Sequence, residues 1–439
     1  MYYDLSDSNM KFIDLFCGIG GFHSALSQLG HECVFACDKD KDAASIYELN
    51  FGITAHNDIR KCRNLPDFDI LCAGFPCQPF SKSGSQAGFK DKTRGTLFHE
   101  IMRIIKESDP KIIFLENVPN LESHDYGNTY RIIKQNIENA GYKFWSETLS
   151  PHEFGTPQIR KRLFMIGIRK DLCLEKKFKF PKGSESETSV IDILEKKESI
   201  PKKYFLSKSE ISVFNTWNDF ISTIPSNIKP ASPTWSQEFG RSYRLDKIHP
   251  ISSSKVIKIM ELKEILRNEG INPLKYRSEV VNQFPPYITS LESEIPDWKI
   301  KFIKKNRELW EKISKTLGKR WLNEVRSFKE TFQKFEWQVG EGKRNIWDHI
   351  IQIRPSGIRV KKSNYIPALV AISQVPIIGW QKRRITPREC ARAQDFDVDG
   401  TFSKRFVLHK NDAVAYKQLG NAVNVRVVKK IMSQIENYI

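Results

Sequence analysis

Six short apolar runs, separated by stretches with helical periodicity, constrain this chain more than any other feature. They are KFIDLF (11–16), CVFACD (33–38), FDILCAG (68–74), KIIFLE (111–116), YKFWSETL (142–149) and RLFMIGI (162–168). Runs this short and continuously apolar suit strands covered on both faces. Strands alternating with helices indicate an α/β domain with a largely parallel sheet. Helices are expected between them, for example over 21–29 and 97–107. The run from Arg162 follows a hairpin through SPHEFGTPQIRKR, so it is expected to lie antiparallel to its neighbours.

The remainder of the 439 residues is too long for that domain alone and implies a second lobe. From about Lys170 to Gly379 the character changes. A polar stretch, FPKGSESETS, reads as a linker, and aromatics then alternate with basic and polar residues. A segment around 300–330 has the periodicity of an amphipathic helix with a basic face. A final helical pattern, Val423 to Ile435, is placed to complete the first lobe. Seventy Lys and Arg against 52 Asp and Glu leave a net charge of +18, which fits a polyanionic partner as well as a plain solvated surface. No run of eighteen apolar residues predicts a membrane span, and the first residues do not resemble a signal peptide. Eight cysteines without a CxxC pair predict reduced thiols in a cytoplasmic setting, with neither disulfides nor a bound metal.

The first strand runs into a glycine cluster, CGIGGF, and then a helix. Glycines there let backbone approach a ligand, although tight strand-to-helix turns also use them for structure alone. Asp38 ends the second strand twenty residues after Gly18, an offset that suits a ribose hydroxyl. The departure from GxGxxG points to an adenosyl cofactor smaller than a dinucleotide. Ligands of open α/β sheets sit outside the carboxyl ends of the strands. Cys77 lies just past the third strand and Glu116 ends the fourth. Arg160 and Arg162 open the antiparallel strand, so four pieces of sequence meet on one rim. Taken singly, each has a bland reading: a buried small thiol, a strand-end acid, an exposed charged turn. Together they suggest a nucleophile, a proton handler and a carbonyl clamp.

The motifs DLFCGIGGF, GFPCQPFS, ENV, QIRKR, RRITPRECARAQDF and QLGNAVNVRVV stand in this order along the chain. In sequence and in order they resemble the motifs of bacterial C5-cytosine-specific DNA methyltransferases, the methylases of type II restriction–modification systems. The resemblance implies a Rossmann-like α/β fold, with a mixed seven-stranded sheet, helices on both faces and a smaller target-recognition domain. It places a catalytic lobe at 1–178, a recognition lobe at 179–405 including the motif at 384–396, and a returning segment at 406–439. It implies S-adenosyl-L-methionine as methyl donor and Cys77 as the nucleophile on cytosine C6. Glu116 would meet N3 and the exocyclic amine, Arg162 the O2, and Arg160 the neighbourhood of sulfur and base. Phe16, Gly18, Ile19, Gly20, Asp38, Asp58, Ile59, Pro76, Asn421 and Val423 would surround the cofactor. Ser81, Ser83 and Arg94, in a polar loop after the nucleophile, would face DNA. Duplex DNA is the implied partner of a monomer that shares its target site with a companion endonuclease. A tRNA-directed enzyme with the same active site, and a silent DNA-binding homologue, are the alternatives. Two positions depart from the pattern: Asp38 where glutamate is common, and Ala368 in NYIPALVA where threonine often stands.

Overall fold

The computed structural model describes residues 9–56, 58–76, 95–173, 178–184, 188–225, 227–243, 245, 258–289, 295–369, 374–401 and 404–439. The chain forms two compact units, one of residues 1–200, 364–373 and 385–439, the other of 201–363 and 374–384.

In the first unit the strands are β1 (Lys11–Leu15), β2 (Glu32–Cys37), β3 (Ile70–Ala73), β4 (Ile112–Asn117), β5 (Tyr142–Leu149), β6 (Gln158–Ile159) and β7 (Arg162–Arg169). All but β6 join one sheet in the order β2-β1-β3-β4-β7-β5. The first four are mutually parallel, and β7 runs antiparallel between β4 and β5, as the hairpin predicts. Among the described residues this sheet has six strands rather than the expected seven. The edge beyond β2 holds only a single bridge, Cys37 to His56. Just after it, Asp58 caps a one-turn helix at Ile59–Lys61.

Helices cover both faces because side chains alternate along each strand. Ile13, Leu15, Leu71, Ile113 and Leu115 point to one face, against α3 (Gly95–Ser108) and the helix Asn128–Asn139. On the other, Phe12 and Phe114 meet His23 and Phe22 of α1 (Gly21–Ser27), at ring separations of 5.5 and 5.1 Å. The closing helix Val425–Glu436 buries Val425, Val428, Ile431, Met432 and Ile435 and packs beside α1. Each such fully buried side chain contributes about 1.5–3 kcal/mol.

The boundary of the first unit differs from the expected one. Residues 179–200 and 385–405 belong to it, not with the recognition segment. Thr386 Oγ1 donates to Glu195 (2.7 Å), the Glu195 amide to Glu389 (2.8 Å), and Arg392 to the Ile193 carbonyl (3.1 Å). These bonds tie 193–195 to the helix Pro387–Arg392, while Gln394 reaches the Leu419 carbonyl.

The second unit is built on a six-stranded sheet. In spatial order its strands are Arg383–Arg384, Ile377–Ile378, Ile350–Arg354, Gly357–Lys361, Lys334–Gln338 and Thr234–Trp235. The helices Lys208–Thr223 and Asp297–Ser327 pack with it through Trp217, Phe220, Trp321 and Phe335. Trp217 stacks on Phe335 at 4.8 Å. Many of the aromatics that alternate with basic residues in the sequence are therefore core. The cations between them stay outside: Lys301, Lys304, Lys305, Lys312, Lys315, Lys319 and Arg320 are exposed along the long helix. No described helix is long and apolar enough to cross a membrane.

Candidate active site

The glycine-rich turn leaves β1 through Phe16, whose φ of 55° is unusual for an aromatic residue. Strain of that kind is held where the surroundings over-determine it. Gly20 has a φ of 85°, and a Cβ there would strike the Phe51 ring. Gly21 is crowded from the other side, since a Cβ would lie 2.6 Å from the Val423 carbonyl oxygen. The turn is thus clamped between α2 (Lys41–Phe51) and the C-terminal segment.

Asp38 fixes the turn from β2. Its Oδ2 accepts from the Gly18 amide at 2.7 Å and its Oδ1 from the Asp40 amide at 2.8 Å. Burial pushes its pKa up, against the pull of those two amides. Asp40 caps α2 with Oδ1 and pairs with Lys417 through Oδ2 at 2.9 Å. Further along the rim, Asp58 is held by Arg60 at 2.7 Å, a hydrogen-bonded pair that lowers its pKa to about 2.

The opposite wall comes from β3, β4 and β7. Glu116 ends β4 beside Gly74, and a Cβ on that glycine would sit 3.7 Å from the Glu116 carboxylate. Arg162 Nε lies 2.9 Å from Glu116 Oε1. Desolvation raises the Glu116 pKa, while Arg162 and then Arg160 oppose the rise. Asn117 donates to the Phe75 carbonyl at 3.3 Å, steadying the backbone that leads into Pro76. Arg160 is almost fully buried. Its guanidinium donates to the carbonyls of Leu369 (3.2 Å), Gly420 (2.9 Å) and Ala422 (2.8 Å).

One cavity of about 650 Å³ gathers Phe16, Gly18, Ile19, Asp38, Asp58, Ile59, Pro76, Glu116, Arg160, Arg162 and Asn421. Gly20 and Val423 stand behind its lining, where they pack the turn. Cys77, Ser81, Ser83 and Arg94 lie outside the described residues. The cavity also includes Asn117 and Gln418, which lie within the quoted motifs without an assigned role, and Lys39, Asp40, Arg60 and Lys417, which the sequence did not single out. Gln418 opens the closing motif QLGNAVNVRVV and Lys417 directly precedes it, a signal that could have found Lys417. No cluster of three or more potential metal ligands occurs among the described residues.

The family model for C-5 cytosine-specific DNA methylases matches residues 10–437. The chain belongs to that family. It is 31% identical to the Type II methyltransferase M.AluI of Cellulosimicrobium cellulans over 98% of this chain and 93% of the relative. It is 31% identical to M.BanI of Aneurinibacillus aneurinilyticus over 97% and 95%. A shorter match, 48% identical, covers 43% of this chain and 57% of M.HhaI of Haemophilus parahaemolyticus. The family transfers a methyl group from S-adenosyl-L-methionine to C5 of cytosine in DNA. The cavity suits that donor: its volume falls in the range of small-molecule sites, and its lining joins apolar surface to a few fixed polar groups.

Proposed function

We propose that the enzyme methylates one cytosine within a specific duplex sequence, using Cys77 as nucleophile and the Glu116–Arg162 pair to hold and polarise the base. The observation that carries this reading is the convergence of Glu116, Arg162 and Pro76 with the cofactor-side residues on one cavity. Pro76 delivers the chain to Cys77 with a restricted backbone. A cytosine inside a duplex is out of reach, so the base is flipped into the site. The Cys77 thiolate adds to C6, Arg162 donates to O2, and protonated Glu116 donates to N3. The raised pKa of Glu116 favours the protonated form that this donation needs. Addition at C6 turns C5 into an enamine-like carbon. The cofactor, when bound, supplies the electrophilic methyl group. Loss of the C5 proton and departure of Cys77 then restore the ring.

The fit to the cofactor rests on Phe16 and Ile59 for the adenine, Asp38 for the ribose, and Asn421 at the methionine end. The second unit is the target-recognition unit in this reading, supported by its basic exterior. Ser81, Ser83 and Arg94 would meet DNA beside Cys77. We place the protein in the cytoplasm as a monomeric Type II methylase that protects sites cut by a companion endonuclease. Duplex DNA, not tRNA, is its substrate. Labelled methyl transfer to duplex DNA and to tRNA tests that choice, and preferential labelling of tRNA would reverse it. Bisulfite sequencing of DNA from expressing cells would reveal the recognition sequence.

A further inference from the structure

Strands Ile350–Arg354 and Gly357–Lys361 form a hairpin whose register sets Gln352 opposite Arg359 and Ile350 opposite Lys361. The neighbouring strand places Glu336 beside Arg359. Side chains alternate along each strand, so Ile351, Ile353, Ile358 and Val360 turn to the core of the second unit. Gln352, Arg354, Arg359 and Lys361 therefore share the other face. Arg354, Arg359, Lys361 and Lys362 are the only charged residues between 350 and 363. The two arginines differ in what they hold. Glu336 takes both arms of Arg359, with Nε and Nη2 at 2.8 and 2.9 Å from its carboxylate oxygens. Among the described residues Arg354 makes no hydrogen bond or ion pair, and its Nε is buried. Burial first, and then Arg359, pull the Arg354 pKa down, with Glu336 opposing. A half-buried guanidinium without a partner is costly, and a directional, bidentate acceptor offsets that cost. Arg354 stands next to Pro355 and Ser356, the exposed tip of the hairpin.

We propose that Arg354 reads one guanine of the recognition sequence, donating to its O6 and N7 as the hairpin tip enters the major groove. A two-stranded ribbon fits that groove, and a guanidinium fork matches that pair of acceptors. A phosphate is served as well by the exposed lysines of the long helix, which need neither a recess nor a fork. The fork of Arg359 is already occupied, so it braces the two strands and Glu336 instead of reading a base. This inference rests on the reading of the second unit as the target-recognition unit.

The test is bisulfite sequencing of a random-sequence duplex library methylated by the wild type and by variants. The wild type should yield one motif. Arg354→Ala should still transfer methyl groups but lose discrimination at one guanine of that motif, by about 5- to 150-fold. Arg354→Gln should shift the same position towards adenine, whose N6 and N7 match a carboxamide. Arg359→Ala should lower the urea midpoint and keep the motif. In the wild type, 7-deazaguanine at that one position should lower kcat/KM by at least about fivefold. An unchanged motif in Arg354→Ala, or a uniform loss over all sequences as a phosphate contact would give, overturns the inference. Failure of both Arg354 variants to fold also counts against it, because a side chain without described partners should be dispensable for folding. An unchanged motif leaves the proposed function standing. A wild type that transfers no methyl group to duplex DNA overturns the proposed function, and the inference with it.

Discussion

Replacing Glu116 by glutamine keeps the shape of the side chain but removes its negative charge and its transferable proton. In the structure that carboxylate lies 2.9 Å from Arg162 Nε, with both side chains mostly shielded from water. At an effective dielectric near 20, two unit charges at that separation attract by about 6 kcal/mol, much of it offset by desolvation. The amide still accepts a hydrogen bond and escapes the burial penalty of the charge, so the loss of stability should stay below about 1.5 kcal/mol. The kinetic loss should be larger. Acid–base assistance by a positioned group contributes roughly 10²–10⁴-fold, so kcat should fall by that factor. Affinity for S-adenosyl-homocysteine should change by less than about threefold. Single-turnover methyl transfer and titration calorimetry separate the two effects. A kcat within tenfold of wild type, or a defect confined to cofactor affinity, would refute the role given to Glu116.

The pH dependence has a definite sign. Burial raises the Glu116 pKa above its ordinary value near 4.5, so the folded protein holds a proton that the unfolded chain has lost across the window above that value. Wild-type stability therefore declines as pH rises through the window, and the glutamine variant lacks that component. Wild-type kcat should fall as pH rises through the same window, because the donation to N3 needs protonated Glu116.

Three further outcomes follow from the geometry. Asp38→Ala releases the amides of Gly18 and Asp40, and should weaken cofactor binding by about 10- to 100-fold, measured by calorimetry. Gly21→Val places a side chain against Val423 and should cost about 1–3 kcal/mol, read as a lower urea midpoint. Lys417→Ala breaks a half-exposed ion pair, and should change cofactor affinity by less than about fivefold, the difference shrinking as salt rises.

Much of the first unit was legible because its signal is local. Each apolar run became a strand near its expected place, and the antiparallel sense of β7 followed from the hairpin before it. The strand count illustrates the limit: among the described residues the sheet has six strands, and beyond β2 one bridge at His56 is followed by the turn at Asp58. The rim was legible because strand-end positions are countable from sequence. The bonds of Arg160 were not, since they span 209 to 262 residues and depend on where two distant loops arrive. The same holds for Lys417, which meets Asp40 across 377 residues. In the second unit the burial of Trp217, Phe220 and Trp321 was not legible, because it follows from helix packing that their interleaving with charges conceals.

The covalent role of Cys77 is the claim on which the rest depends. A duplex carrying 5-fluorocytosine at the methylated position blocks the final elimination and so retains the enzyme on the base. Mass spectrometry of the wild-type protein with that duplex and S-adenosyl-L-methionine should reveal a denaturation-resistant adduct attached at Cys77. Cys77→Ser should give none while still binding cofactor and DNA. Methyl transfer by Cys77→Ser at a near-normal rate, or an adduct on another residue, would contradict the account.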